Sequence, residues 1–227
     1  MEFLQIINDI SVILASFVAI YGITAWKREF VGKRRIELAE DALALFYEAQ
    51  DVIRAVRSPL GFGGEGTTRK PQEDETPTQK SARDSAYVVF ERFEPHQELF
   101  SKLHAMRYRF MAQIGHEAAN PFDDLRKIRL EIFSAARRLS RLWAEDVSSL
   151  LDEQQSQHFE KREKYEAIFW DTFDENDPIN PRLDKVISDI ENICRPIIME
   201  KDKAISWLKR LWSKKCKSSK TTSETGG

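Results

Sequence analysis

An apolar segment at residues 3–26, followed at once by basic residues, constrains this chain more than any other feature. No charged residue lies between Ile10 and Trp26, and with residues 3–7 the segment is long enough, as a helix, to cross a hydrocarbon core of about 30 Å. Basic residues follow the segment and none precedes it, which places the N-terminus outside and the rest of the chain in the cytoplasm. The residues expected to contact the membrane surface here are Lys27, Arg28, Lys33, Arg34 and Arg35.

A secretory signal peptide is the main alternative for this segment. A signal peptide starts with basic residues, has a shorter apolar region and ends at a small-residue cleavage site. This chain instead carries Glu2 and Asp9 before the charge-free stretch, so a retained anchor fits better. Because a carboxylate at mid-bilayer would cost about 2.5 to 3.5 kcal/mol, we expect Asp9 near the outer interface.

The part of the chain after the anchor has the composition of one helical domain. It is about 200 residues long, enough for a single core. Of the whole chain, 32% of residues are charged and the formal net charge is −2. Interspersed charges of both signs are typical of a solvated helical surface, and they argue against a nucleic-acid partner. The two cysteines, Cys194 and Cys216, have no metal-binding spacing and fit a reducing compartment.

Apolar periodicity divides the chain into five segments. An amphipathic helix continues from the anchor to Arg57, where Ser58-Pro59 ends it. A glycine-rich and polar stretch then precedes further helical periodicity, which begins near Ser81 and is interrupted at Pro95. The predicted segments are a transmembrane helix at 3–26, a juxtamembrane helix at 27–57, a flexible loop at 58–80, a helical bundle at 81–217 and a disordered tail at 218–227.

The second half of the predicted bundle contains two long helices. Asn120-Pro121 is a helix start signal, with asparagine at the cap. Later apolar residues extend the helix that follows to Phe173. Its predicted buried stripe is Leu125, Ile128, Ile132, Ala135, Leu139, Leu142, Val147 and Leu150. The last helix begins at Pro181 and kinks at Pro196. We therefore predict an all-α protein, in which one N-terminal transmembrane helix precedes an antiparallel bundle of about four or five helices.

The segment Gly61-Phe62-Gly63-Gly64-Glu65-Gly66 has the letters of a dinucleotide-binding fingerprint without its context. Such a fingerprint follows a strand and opens a helix, whereas this segment follows a helix. Four of the chain's nine glycines nevertheless fall here and enclose a phenylalanine. We favour a turn between helices, and we keep the segment as a candidate loop for a protein partner or a ligand.

No set of residues predicts catalysis, a metal or a cofactor. The histidines His96, His104, His116 and His158 are too scattered to form a ligand set. The acidic run at 171–177 lacks the alternation and central glycine of a calcium loop, so an exposed helix terminus is the preferred interpretation. The sequence shows no GxSxG motif. We therefore expect a protein that is not an enzyme and binds no cofactor.

Two further surfaces are candidates for contacts. Small residues repeat in the predicted span at Ser11, Ala15, Ala19 and Gly22, a pattern that fits either a homo-oligomer seam or a lipid-exposed face. The C-terminal end of the last helix is basic and carries tryptophan, as in helices that lie on anionic membranes; a bundle helix with exposed lysines is the alternative. Its candidate surface residues are Trp207, Lys209, Arg210, Trp212, Lys214 and Lys215.

The first third of the chain contains several short runs that can be compared with other proteins. These runs are Trp26-Lys27-Arg28-Glu29, Gly32-Lys33-Arg34, Glu37-Leu38-Ala39-Glu40, Phe46-Tyr47-Glu48-Ala49 and Arg57-Ser58-Pro59. Together with the glycines up to Gly66, these runs resemble a group of uncharacterised bacterial proteins with one N-terminal span and a helical cytoplasmic part. The resemblance implies a bacterial inner-membrane location and implies no activity.

The tethering features and the missing catalytic constellation lead to one functional expectation. We expect a membrane-tethered interaction or scaffold protein whose cytoplasmic helices bind a protein partner. The alternative is a membrane-bound sensor or effector, of the stress-response or phage-defence type, that binds a small anionic ligand at Gly61–Gly66.

Overall fold

The computed structural model describes residues 2–148 and 150–218, with side chains between Ser11 and Met199 apart from Ile13 and Ser149. These residues form α-helices, two short 3₁₀ helices and connecting turns, which confirms the predicted all-α class and helical bundle. The 3₁₀ helices are Glu94–His96 and Glu117–Ala119. The α-helices are α1 (Glu2–Val56), α2 (Pro77–Phe93), α3 (Gln97–Gln113), α4 (Asn120–Leu142), α5 (Asp152–Phe169) and α6 (Asn180–Ser218).

The chain divides into two compact units. The bundle unit is Asp41–Cys194 and contains α2 to α5 with the adjoining parts of α1 and α6. The terminal unit comprises the described parts of Met1–Glu40 and Arg195–Gly227. Helices α1 and α6 therefore each contribute to both units.

The predicted transmembrane helix at 3–26 is not supported. Within the described part of the chain, no helix combines the length and the apolar character needed to cross a membrane. Helix α1 is continuous from the predicted span at 3–26 to Val56, one residue short of the predicted end at Arg57, but side chains are described only from Ser11 and basic residues begin at Lys27. That interval is shorter than the about 20 residues that a crossing helix needs. The first residues of the predicted span, 3–10, and Ile13 lie outside the described side chains.

Helix α4 lies at the centre of the bundle unit. The first five residues of its predicted stripe, Leu125, Ile128, Ile132, Ala135 and Leu139, are buried, as helical periodicity requires. The last three, Leu142, Val147 and Leu150, are only half-buried. Phenylalanine rings join α4 to its neighbours at centroid distances of 4.7 to 5.1 Å, within the range of favourable aromatic contacts. The pairs are Phe46 of α1 with Phe122, Phe110 of α3 with Phe122, and Phe90 and Phe93 of α2 with Phe133.

The predicted interruption at Pro95 separates α2 from α3, with a 3₁₀ helix between them. The start of α2 differs from the expected position near Ser81, because a capping box begins the helix earlier. The hydroxyl oxygen of Thr76 accepts a hydrogen bond from the backbone N–H of Gln79 (3.2 Å), and the Gln79 side chain accepts one from the Thr76 N–H (3.2 Å). Pro77 occupies the first turn, where its missing N–H costs nothing.

The second half of the bundle departs from prediction at two points. Asn120 is the first residue of α4 and not its cap, since Ala119 holds the cap position without a side-chain hydrogen bond. The helix then stops at Leu142 instead of extending to Phe173. The Asp146 carboxylate accepts the backbone N–H of Ser148 at 2.9 Å, a local bond that competes with helical hydrogen bonding. Helix α5 starts afresh at Asp152.

Helices α1 and α6 run antiparallel inside the bundle unit and are joined by polar contacts. Tyr47 donates a short hydrogen bond to Glu191. Further along α1, Gln50 and Arg54 both donate to Asp184, at 2.8 and 2.6 Å. The partners on α6 move towards its N-terminus as the residues on α1 move towards their C-terminus, which establishes the antiparallel direction.

Arg57 ends this row of contacts and is completely buried. Its guanidinium forms a two-pronged ion pair with Asp177, at 2.8 and 3.0 Å. The same group donates to three carbonyls at the C-terminal end of α5, those of Ala167, Ile168 and Trp170, at 2.8 to 2.9 Å. Because these carbonyls lack intrahelical partners, Arg57 caps α5 while it neutralises Asp177.

Asp177 caps α6 in turn. Its Oδ1 accepts the backbone N–H groups of Ile179 (2.8 Å) and Asn180 (2.7 Å), at the start of that helix. Burial alone would raise the pKa of this carboxyl, but hydrogen bonds from Arg57 and from the Asn180, Ile179 and Thr172 backbone outweigh burial and hold the pKa below its usual range. The expected exposed helix terminus at 171–177 is therefore wrong for Asp177, which is 2% exposed, and also for Asp171, which is 8% exposed. Asp174 and Glu175 are exposed, as expected.

Substitution of Arg57 by methionine should lower the free energy of unfolding of the bundle unit by about 3 to 5 kcal/mol, because it leaves Asp177 charged and unpaired in the interior. Urea denaturation followed by tryptophan fluorescence measures this loss. The matched control is Arg54→Met, which removes an ion pair that is about half exposed and should cost less than about 1 kcal/mol. Equal losses in the two variants would contradict the assignment.

Candidate functional site

The glycine-rich loop is held on α2 by one arginine. The Arg92 guanidinium donates to the backbone carbonyls of Val56 (3.1 Å), Ser58 (2.7 Å) and Leu60 (2.9 Å). It also forms an ion pair with Glu65, at 2.6 Å. The hydrogen bond from Arg92 is the largest of the influences that lower the pKa of Glu65. Arg92 therefore holds both the backbone at the C-terminal end of α1 and Glu65 in the loop.

Gly66 fixes the loop a second time. Its φ is +83°, in the left-handed region that favours glycine. A Cβ atom at this position would lie 1.9 Å from the backbone oxygen of Asp84 on α2, and the Gly66 N–H donates a short hydrogen bond to Glu91. Gly64 also has positive φ, whereas a Cβ at Gly63 would meet nothing within 4 Å. Two of the four glycines therefore serve backbone geometry, as the preferred interpretation expects.

The polar stretch after the loop is attached to α2 through charges. Arg69 pairs with Glu75 (2.7 Å) and Asp84 (3.0 Å), and Arg83 pairs with Glu75 (2.6 Å). Hydrogen bonds from Arg69 and Arg83 lower the pKa of Glu75 to about 2. The carboxylate consequently keeps its charge at neutral and mildly acidic pH.

The anchored loop presents two large apolar side chains to solvent. Leu60 is 79% exposed and Phe62 is 84% exposed. Exposed apolar side chains on a loop that the rest of the fold holds in place are typical of contact sites for another molecule. This pair, with the loop residues Gly61–Gly66, forms the candidate site, which we call the loop tip.

The electrostatics of the loop tip do not favour an anionic ligand. Arg92, the cation nearest the loop, already donates to three carbonyls and to Glu65. Gly66 is buried against α2, and its N–H donates to the Glu91 carboxylate. Two carboxylates beside the loop oppose phosphate binding, so the arrangement suits an apolar contact better.

The predicted membrane-surface residues fall into two groups. On α1, Lys27, Arg28, Lys33 and Arg34 are exposed, whereas Arg35 is half-buried. The small-residue face is also exposed, at Ser11, Ala15, Ala19 and Gly22. The side chains of the second group lie outside the described ones, although the backbone of α6 passes through them; these residues are Trp207, Lys209, Arg210, Trp212, Lys214 and Lys215.

The residues considered for catalysis or metal binding remain apart. Within the described residues, no three His, Cys, Asp or Glu side chains come together in a way that could hold a metal ion. The buried thiol of Cys194 has its pKa raised to about 12 by burial, which keeps it protonated and unreactive. His158 is buried beside Glu145, at 3.2 Å, and not near another histidine.

Sequence reasoning missed the residues that position the loop. Arg92 and Glu91 lie 27 and 25 residues from the loop groups that they bind, and nothing in their local sequence distinguishes them from surface charges. The Thr76-Pro77 and Gln79 capping pattern was readable and would have placed the start of α2 correctly.

The chain matches no protein-family model, no curated protein and no solved structure.

Gly66→Ala should detach the loop from α2, because the added methyl group would meet the Asp84 oxygen and φ would be unfavourable by about 1 to 2 kcal/mol. We expect faster amide hydrogen exchange at residues 60–67, measured by mass spectrometry. Gly63→Ala is the matched control and should leave exchange unchanged. Faster exchange in the control alone would contradict the role given to Gly66.

Proposed function

We propose that this protein is a membrane-tethered helical interaction protein that binds a protein partner through the loop tip. One observation carries the proposal: large apolar side chains are exposed on α1 and at the loop tip, although the bundle unit buries an apolar core of its own. Exposed apolar surface of this extent marks membrane or protein contacts. The proposal assigns no catalytic step and no cofactor to the chain.

Support for the tether comes from α1 between Ser11 and Val31. Two hydroxyl groups in this stretch bond to carbonyls of their own helix, Ser16 to Val12 (2.8 Å) and Thr24 to Tyr21 (2.9 Å), as an environment without water requires. The rest of the tether falls on residues 3–10, outside the described side chains. The large apolar side chains that are about half or more exposed are Val12, Leu14, Phe17, Val18, Ile20, Tyr21, Ile23, Trp26, Phe30 and Val31.

The end of this stretch has the composition of a membrane interface. Trp26 stacks on Phe30 at a centroid distance of 5.7 Å, and the Arg34 guanidinium lies 5.8 Å from the Phe30 centroid. Aromatic rings followed by cations are enriched where a helix leaves the hydrocarbon core. With the basic residues after Trp26, this pattern supports an N-terminus outside and a bundle unit in the cytoplasm. The bacterial inner membrane is the setting that the sequence resemblance implies.

A second copy of the chain is an alternative contact for the same segment. The exposed small residues Ser11, Ala15, Ala19 and Gly22 recur at three- and four-residue steps, and helices with such faces approach closely in membranes. The small-residue face lies in the terminal unit and the loop tip in the bundle unit, so the two contacts use different residues.

Support for the protein partner comes from the rigidity of the loop tip. Leu60 and Phe62 are offered on a backbone fixed by Arg92 and Gly66, so little conformational entropy remains to be lost on binding. Aromatic residues are also enriched in protein interfaces. An apolar groove on another protein is the complementary surface.

The tether is tested by membrane extraction. The full-length chain should stay in the pellet after a carbonate wash, and Phe17→Asp with Ile20→Asp should release it, because each buried carboxylate costs about 2.5 to 3.5 kcal/mol. The control carries aspartates at the exposed positions Gln113 and Gln157 and should remain in the pellet. Release of the unmodified chain would refute the tether.

The partner site is tested by crosslinking and capture from mild detergent. Leu60→Ser with Phe62→Ser should lose the captured partner, since the apolar contact is removed. Leu151→Ser with Phe159→Ser is the matched control, because these side chains are 73% and 51% exposed elsewhere on the bundle unit. Identical capture by both variants, or a lone monomer with no partner, would refute the proposal.

A further inference from the structure

A pocket of about 230 Å³ lies between α3 and α4 in the bundle unit. Its floor is apolar, because two residues from each helix turn inward and are less than 9% exposed. These floor residues are Phe100, Leu103, Phe122 and Leu125. The floor could hold the body of a small molecule and contains no polar side chain.

The rim of the pocket is basic and arises from the same spacing on both helices. Each helix carries a phenylalanine, then a leucine three residues later, then basic residues four and seven residues after the phenylalanine. Residues at these intervals lie on one helix face. The basic residues are His104 and Arg107 on α3, and Arg126 and Arg129 on α4.

The charges of the rim are only partly compensated. Arg107 forms a bidentate ion pair with Asp123, with both distances 2.9 Å. Across the described residues, neither Arg126 nor Arg129 makes an ion pair. Asp123 forms its ion pair with Arg107 and also attracts Arg126. One carboxylate facing three arginines leaves the pocket with a positive surplus.

Arg129 is the least satisfied member of the rim. Its Nε atom is buried and has no hydrogen-bond partner among the described residues. Its guanidinium lies 4.8 Å from the Phe100 ring centroid. Burial and the repulsion of Arg126 both lower the pKa of Arg129. Arg129 is half-buried and lines the pocket, so an anion held there would offset its charge.

We propose that the pocket between α3 and α4 binds a small soluble organic anion, with a carboxylate or phosphate facing Arg126 and Arg129 and an apolar body on the phenylalanine and leucine floor. Arginine forks match the paired oxygens of both anionic groups. The volume is below the 300 to 1,000 Å³ that is typical of pockets for drug-sized ligands, which limits the body to about one aromatic ring. This site is separate from the loop tip and does not depend on the protein partner.

The test is calorimetric titration of the full-length chain in a nonionic maltoside detergent. The probes are phenyl phosphate and benzoate, with benzyl alcohol as the neutral analogue and inorganic phosphate as the anion without an apolar body. We expect at least one of phenyl phosphate and benzoate to bind about tenfold or more tightly than both comparison probes, since a hydrogen bond to a charged group is worth at least that factor.

Substitutions in the pocket test which arginines bind the anion. Arg126→Gln and Arg129→Gln should each weaken binding of the preferred probe about tenfold, whereas Arg141→Gln, an exposed position on the same helix, should bind like the unmodified chain. Because Arg126 is exposed, Arg126→Gln should leave the thermal unfolding temperature unchanged. Arg129→Gln also removes the contact of the guanidinium with the Phe100 ring and should lower that temperature slightly. No saturable binding, equal binding of benzyl alcohol, or unchanged binding in both pocket variants would overturn the proposal.

An anionic lipid headgroup has the same phosphate chemistry, and one further arm separates the two sources. Phosphatidylglycerol is added to the detergent micelles before the titration. Unchanged affinity for the preferred probe supports a soluble ligand. Competitive loss of affinity would overturn that assignment in favour of the lipid headgroup.

Discussion

The buried ion pair between Arg57 and Asp177 is the constraint on which the bundle unit depends. One guanidinium neutralises the carboxylate, caps the end of α5 and lies at the end of α1, while the carboxylate caps α6. Three helix ends therefore meet at a single charge pair from which water is excluded. Either charge without its partner would be costly in an apolar interior, so the two side chains must stay paired. The geometry of the pair therefore determines the directions in which α1, α5 and α6 leave this point.

The two candidate sites arise from opposite uses of arginine. Arg92 has its donors occupied by backbone carbonyls and Glu65, so it acts as a structural clamp that leaves apolar side chains outermost. Among the described residues, Arg126 and Arg129 make no ion pair, and they line an apolar floor, so an anion in the pocket can still pair with their charge. The first arrangement suits contact with a protein surface and the second suits a small anion. Charge composition alone does not distinguish the two arrangements. A sequence does not show whether the donors of an arginine are already hydrogen-bonded within the fold.

Much of the architecture was predictable where the cause is local. The buried stripe of α4 and the break at Pro95 follow from helical periodicity and from the missing N–H of proline. The end of α4 was not predicted, because Val147 and Leu150 continue the apolar spacing although the turn at Asp146 interrupts the backbone. The ion pair of Arg57 was not predictable either, since its partner Asp177 lies 120 residues away in the sequence. The pocket was missed for the same reason: its two halves are on different helices, and only their packing reveals that the spacing is repeated.

The antiparallel contacts between α1 and α6 determine how the bundle unit would respond to mechanical load. The chain enters the unit at Asp41 and leaves it at Cys194, and the first polar contact from that end joins Tyr47 to Glu191. Tension between these two points would separate α1 from α6 starting at one end. The force would therefore act on the contacts one after another. The exposed contacts to Asp184 would break next, and the Arg57 pair last. The force needed to separate the helices would thus be low at first and would rise sharply at the Arg57 pair, whose charges are the most deeply buried.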